Sequence, residues 1–156
     1  MIRKRAEMFD SNIRLDDKMA GKIIGYGSYL PSKKLSNEDL SHMVETNNEW
    51  IVERTGIESR NISDPNVETT SYMASEAAIK AIENAGIDAK EIDLIIVATT
   101  TPNYVFPSMS CIVQRETGAI NSACFDLNSA CPGFVTAFNT AQAYINAGQY
   151  ETILVV

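Results

Sequence analysis

Cys131 ends the segment Cys124-Phe-Asp-Leu-Asn-Ser-Ala-Cys131 and precedes Pro132-Gly133-Phe134, where a strand-like run meets a helix-like one. The first backbone N–H groups of a helix have no intrahelical partners and carry about half a positive charge, which stabilises an anion. A thiolate is such an anion. Proline is favoured at the first helical position because its missing N–H would have gone unpaired there. Gly133 lets the chain turn sharply and lets a substrate approach the backbone. A cysteine so placed is expected to ionise readily and to act as a nucleophile. It also reads as a buried structural thiol, since free cysteine is among the most buried residue types.

A second cluster is Thr46-Asn-Asn-Glu-Trp50-Ile-Val-Glu-Arg54-Thr-Gly-Ile57. If helical, it sets Trp50 and Arg54 one turn apart on one face. An indole and a guanidinium in that relation can sandwich a flat heterocycle such as adenine. The alternative is a buried tryptophan beside a solvated arginine. Gly25-x-Gly27 hints at dinucleotide binding, but Leu30 stands where the third glycine belongs, so tight packing is the better account. Cys111, Cys124 and Cys131 are an odd number without Cys-x-x-Cys spacing, and His42 is the single histidine, so neither a disulfide framework nor a zinc site is expected.

Positioning Cys131 requires strands that alternate with helices. Lys22–Tyr29, Leu94–Thr99, Ala123–Leu127 and Thr152–Val156 read as strands, the second continuously apolar as a strand buried on both faces would be. Ser36-Asn-Glu-Asp39 reads as a capping box opening a helix to about Glu45. Ser71–Ala85 places Ala74, Ala78, Ala81, Ile82 and Ala85 on one face and stops at Gly86. Ser108–Thr117 stops at Gly118, and Pro132–Ala147 at Gly148. The later half is thus βαβαβ, which predicts an α/β fold: a mostly parallel sheet with right-handed crossovers and helices on its faces. Ile153–Val156 is an apolar strand with nothing after it to cover it. The expectation is a first part of a longer polypeptide, or a partner that supplies the missing layer.

The chain has 156 residues, 45% of them hydrophobic and 21% charged, which suits one globular domain. Net charge is −7, and after residue 22 seven Lys/Arg face sixteen Asp/Glu. That acidic body argues against nucleic acid as a partner. The first twenty residues hold no apolar run of signal-peptide length, and no run is long enough to span a bilayer, so a cytoplasmic protein without membrane contact is expected. Residues 1–21 mix charges without periodicity and read as a flexible extension or an expression remnant, leaving 22–156 as the domain.

Taken together, Lys22-Ile-Ile-Gly-Tyr-Gly-Ser-Tyr-Leu-Pro31, Asn48-Glu-Trp-Ile-Val-Glu-Arg-Thr-Gly-Ile57, Ala98-Thr-Thr-Thr-Pro102, Phe106-Pro-Ser108 and Ser129-Ala-Cys-Pro-Gly-Phe134 resemble β-ketoacyl-acyl-carrier-protein synthase III, a thiolase-like condensing enzyme. The resemblance runs from about Lys22 to Val156 and implies the N-terminal half of the layered thiolase-like fold. It implies a Claisen condensation that initiates fatty-acid synthesis: a cysteine takes an acyl group from acyl-coenzyme A, and malonyl-acyl-carrier protein then decarboxylates and attacks it. Coenzyme A enters as a substrate thioester, with no separate cofactor and no metal.

Within that resemblance Cys131 matches the acylated cysteine, and its N–H one oxyanion donor. Trp50 and Arg54 match residues that hold adenine, with Thr46 as a hydrogen-bonding neighbour. Phe106 matches a residue that crosses a dimer interface to line the neighbour's acyl pocket. Pro132 departs from the small residue usual after the cysteine, which could reshape the acyl pocket. The histidine and asparagine that drive decarboxylation belong to the family's second half, and His42 does not match the former. The partners implied are acyl-coenzyme A, acyl-carrier protein, and either a second copy or a complementary C-terminal half. A related synthase with another product, or a non-catalytic half that binds acyl-coenzyme A or serves assembly, are the alternatives.

Overall fold

Asp93 and Asp126 mark how the sheet is assembled, because each carboxylate ties one segment to the next. The computed structural model describes residues 1–3 and 21–156. It divides into two compact units, residues 1–29 with 70–156, and residues 30–69.

The larger unit holds a five-stranded sheet. Its strands are β1 (Ile2–Arg3), β2 (Lys22–Ile23), β5 (Leu94–Ala98), β6 (Ala123–Leu127) and β7 (Thr152–Val155), in the order β2-β1-β7-β5-β6. β5 pairs in parallel with β6 and β7, and β1 pairs antiparallel with β2 and β7. Its helices are α3 (Thr70–Ala85), α4 (Met109–Thr117) and α5 (Gly133–Asn146). Side chains alternate along a strand, so Ile95, Val97 and Leu154 meet α3 and α4 on one face. Leu94, Ile96, Ile153 and Val155 meet Ala137, Ala141 and Ile145 of α5 on the other. This is the expected mostly parallel mixed sheet with helices on both faces. Asp93 Oδ2 accepts from Glu151 N and Thr152 N, both at 2.9 Å, which sets the register of β7 beside β5.

Three expectations are corrected. Residues 4–20 of the proposed extension lie outside the described residues, but its first residues are structural: Ile2 is 1% exposed and pairs with both Ile23 and Ile153. Burial of an apolar Met1-Ile2 pair outweighs the charged composition that follows. The apolar β7 is not left bare, because β1 and β5 flank it and apolar layers cover both faces; Ile153 is 0% exposed. The Lys22–Tyr29 run pairs only over Lys22–Ile23. Beyond it the chain leaves the sheet to lie on α3, where Tyr26 N donates to Asn84 Oδ1 at 3.1 Å. Gly25 and Gly27 make that approach possible, since a Cβ on either would collide with α3 backbone at Ala81 and Ala77. The two glycines do serve packing.

The smaller unit pairs β3 (Lys33–Ser36) antiparallel with β4 (Ser59–Ile62) and adds α1 (Asn37–Ser41) and α2 (Asn48–Thr55). The capping box at Ser36 and Asp39 is present in both directions, although α1 ends at Ser41. Hydrogen bonds from Ser36, side chain first, hold the Asp39 carboxyl below its ordinary range. Buried Asn37 ties the unit together: Nδ2 donates to Asn48 Oδ1 (3.0 Å) and Ile57 O (2.7 Å), and Oδ1 accepts from Arg60 Nη2 (2.9 Å).

Candidate active site

β6 delivers the chain to the thiol. Asp126 in β6 anchors the start of α4 by accepting from Met109 N (2.7 Å) and Ser110 N (2.8 Å), a carboxylate at a helix N-terminus as the dipole favours. Past Leu127, Asn128 Oδ1 accepts from Ala130 N at 3.2 Å. Ala130 takes φ 49, left-handed for a residue with a Cβ. Gly133 N then donates to Ala130 O at 2.9 Å, which closes a turn with Cys131 and Pro132 at its centre. The strand, turn and helix form an elbow with Cys131 exposed at its tip.

Pro132 was expected inside the helix. It is instead the N-cap residue, at φ −81 and ψ 11, and α5 begins at Gly133. The Ala130–Gly133 turn uses the proline's fixed φ before the first helical residue. No side chain caps α5, in contrast to Ser36, Asn47 and Ser108 on α1, α2 and α4. Gly133 N and Thr136 N are taken by backbone carbonyls, which leaves the amides of Phe134 and Val135 without a side-chain cap. Phe134 and Val135, in the first turn of α5, are 58% and 59% exposed. The reading of Cys131 as a buried structural thiol is excluded by its exposure.

In the smaller unit, Asn47 Oδ1 accepts from Trp50 N (2.8 Å) and starts α2, which Gly56 ends in the left-handed conformation. Trp50 and Arg54 meet as spacing predicted: the Arg54 guanidinium carbon lies 4.5 Å from the Trp50 ring centroid. Trp50 is 52% exposed, which rules out the buried-tryptophan alternative. Thr46 shares a shallow surface depression with Glu45, Asn47 and Trp50. His42 is the exposed C-cap of α1, with Nε2 3.9 Å from Glu38 Oε1.

Phe106 belongs to the larger unit, 89% exposed beside Tyr104 (62%) and Val105 (99%) on the segment between β5 and α4. Cys131 and Phe106 thus lie in one unit and Thr46, Trp50 and Arg54 in the other. Asn128, Ala130 and Asp126 were not singled out from sequence. An Asx residue two positions before a non-glycine turn residue was the only signal available for the first two. No group of three or more His, Cys, Asp or Glu that could hold a metal occurs among the described residues.

A profile of 3-oxoacyl-[acyl-carrier-protein] synthase III matches residues 125–156, which run from β6 through the elbow to the end of β7. The β-ketoacyl-[acyl-carrier-protein] synthase III of Clostridium acetobutylicum is 55% identical over 135 residues, covering 86% of this chain and 41% of that protein. The chain is similar to the N-terminal part of β-ketoacyl-acyl-carrier-protein synthase III. The crystal structure of the Aquifex aeolicus synthase III superposes with a TM-score of 0.82 at 45% identity, over 86% of this chain and 43% of that one. The priming β-ketosynthase of the R1128 polyketide pathway superposes at 0.83 and 37% identity, over 92% and 43%. The fold is therefore thiolase-like, and the chain spans about two fifths of the length of the synthase III relatives it matches.

Proposed function

We propose that this chain carries the acyl-accepting site of a condensing enzyme that initiates fatty-acid synthesis, with Cys131 as the nucleophile. The observation that carries the reading is the exposed Cys131 at the tip of an elbow, ahead of a helix whose N-terminus has no side-chain cap. The Cys131 thiolate attacks the carbonyl carbon of acyl-coenzyme A. The new C–S bond forms as charge moves onto the carbonyl oxygen, and collapse breaks the C–S bond to coenzyme A, which leaves as a thiolate and takes up the proton. One thioester replaces another, so the exchange is nearly isoenergetic, and covalent capture splits the condensation into two easier steps. The Cys131 N–H serves as one oxyanion donor.

Trp50, Arg54 and Thr46 hold the adenine end of coenzyme A in this reading. The apolar tip Tyr104–Phe106 is covered by a second subunit, with Phe106 inserting into it. Malonyl-acyl-carrier protein is the second substrate, the whole protein acts in the cytoplasm, and the described helices include none long and apolar enough to cross a membrane. The single histidine, His42, sits on the surface of the smaller unit and is not assigned to decarboxylation. The chain alone is expected to stop after acylation, unless a complementary C-terminal half completes it. Likeness to the R1128 priming β-ketosynthase favours, as a second reading, a related synthase that starts a different product.

The test is incubation with labelled acetyl-coenzyme A, with and without malonyl-acyl-carrier protein, followed by peptide mapping. A labelled thioester on Cys131, absent in Cys131→Ser, is the expected result. Binding without any adduct would replace the reading with that of a non-catalytic acyl-coenzyme A binder.

A further inference from the structure

The two cysteines that acyl transfer leaves unused lie on facing elements. Ser122, Cys124 and Asp126 fall on one side of the chain as it enters and follows β6, because side chains alternate along a strand. Cys124 packs against the apolar layer that contains Met109, Ile112 and Val113 of α4. Both ends of this row are tied to α4. Asp126 accepts from the amides of Met109 and Ser110, and Gln114 Nε2 donates to Ser122 O at 2.7 Å. The helix therefore passes along the row with its start at Asp126 and its second turn at Ser122.

Cys111 follows Ser110 directly and precedes Gln114 by three positions, which puts it on the face that Gln114 uses. It comes down between the two anchors, where Cys124 stands on the strand. Burial pushes the Cys124 thiol up, and the neighbouring Cys111 thiol adds to the effect while Ser122 opposes it. The two thiols differ in access. Cys111 is exposed, whereas Cys124 is half-buried with its sulfur 3.7 Å from Ser122 Oγ.

We propose that Cys111 and Cys124 form a reversible intramolecular disulfide when the protein meets a peroxide, a redox modification site separate from Cys131. The exposed Cys111 reacts first. Its thiolate attacks one oxygen of hydrogen peroxide, an S–O bond forms, the O–O bond breaks, and the departing hydroxide takes the thiol proton to become water. The sulfur of Cys124 then attacks that of Cys111; the S–S bond forms, the S–O bond breaks, and hydroxide leaves with the Cys124 proton as a second water. The two sulfurs together lose two electrons and the peroxide gains them. Because a thiolate is the better attacking group, the protonated Cys124 makes the second step slower at neutral pH and faster in alkali. In a reducing compartment such a bond is transient and returns to the dithiol.

The experiment treats the reduced full chain with hydrogen peroxide, quenches free thiols, and maps peptides without reductant. The expected product is a peptide pair joined through Cys111 and Cys124, at the mass of two lost hydrogens. It should form in Cys131→Ser as in the parent, revert with dithiothreitol, and vanish in Cys111→Ser and Cys124→Ser. The parent chain alone decides the matter should a variant fold poorly. Predominant linkage of either cysteine to Cys131, cross-links between copies, or oxidation of Cys111 without any cross-link would each overturn the proposal.

Discussion

In the free chain Arg54 already covers the Trp50 ring that it is proposed to share with adenine. The guanidinium carbon is 4.5 Å from the ring centroid, Nη1 is 3.4 Å from Trp50 O, and the same nitrogen is 3.6 Å from Glu53 Oε2. A flat heterocycle between the two planes needs two van der Waals separations, together about 7 Å, so the guanidinium must move out by roughly 2.5 Å. Opening an exposed cation–π pair costs about 0.5–1 kcal/mol. Arg54 then returns a charged contact worth about 1.5–3 kcal/mol. Arg54→Ala loses the second term and is spared the first, a net loss of about 1–2 kcal/mol, which is roughly 5- to 30-fold in Kd. Trp50 is the only tryptophan, so its fluorescence during a coenzyme A titration reads this site alone. Without ligand, Arg54→Ala should shift the emission toward that of a more solvated indole. Unchanged coenzyme A affinity in Arg54→Ala would refute the clamp, whatever happens to the unliganded spectrum.

Four further outcomes are expected. Iodoacetamide should label Cys131 ahead of Cys111 and Cys124 in the folded reduced chain, and peptide mapping that finds Cys111 or Cys124 modified first would count against a thiolate favoured by the elbow. Gly25→Ala and Gly27→Ala each drive a Cβ into α3 backbone, so each should lower the urea midpoint by the equivalent of about 1–3 kcal/mol. Asp126→Ala removes both acceptors at the start of α4 and should cost about 1–2 kcal/mol, as a lost helix cap does; a neutral result would show that the amides find other partners. Cys124 has its thiol raised by burial, so the folded state holds that proton more tightly than the unfolded chain. Its contribution is full below the ordinary thiol range and is lost as pH climbs through the raised value. Urea midpoints should therefore fall more steeply in alkali for the parent than for Cys124→Ser, and parallel profiles would reject the account.

The elements most legible in the sequence are those with local punctuation. Gly86, Gly118 and Gly148 end their helical runs in left-handed geometry, and Ser108 caps α4 with its side chain, because each signal acts within one turn. The β3–β4 pair has no such signal, since Lys33-Lys-Leu-Ser and Ser59-Arg-Asn-Ile carry no apolar alternation and two helices separate them. What holds that unit is Asn37, whose buried amide has three partners from distant positions. The role of Met1 and Ile2 was hidden for the same reason. Two residues have no period, and only pairing with β2 and with β7, the latter some 150 positions away in the chain, makes them a strand.

Cys131 stands out in the sequence because its neighbours on both sides are helix and strand signals, yet the geometry that presents it is not that of a helix-start cysteine. The thiol sits two residues before the first helical position, at the centre of a turn whose first residue, Ala130, is left-handed. Such a conformation costs about 1–2 kcal/mol for a residue with a Cβ, and no glycine marks it in the sequence. It persists because the bonds around it over-determine it: Asn128 Oδ1 holds the Ala130 amide, Gly133 N–H holds its carbonyl, and Thr136 N donates to Pro132 O at 2.9 Å to start the helix at once. Strain held in this way projects the side chain outward from the end of the sheet instead of folding it into the core. Pro132 contributes by fixing its own φ at the second central position. The proline after the cysteine is thus compatible with the elbow's backbone.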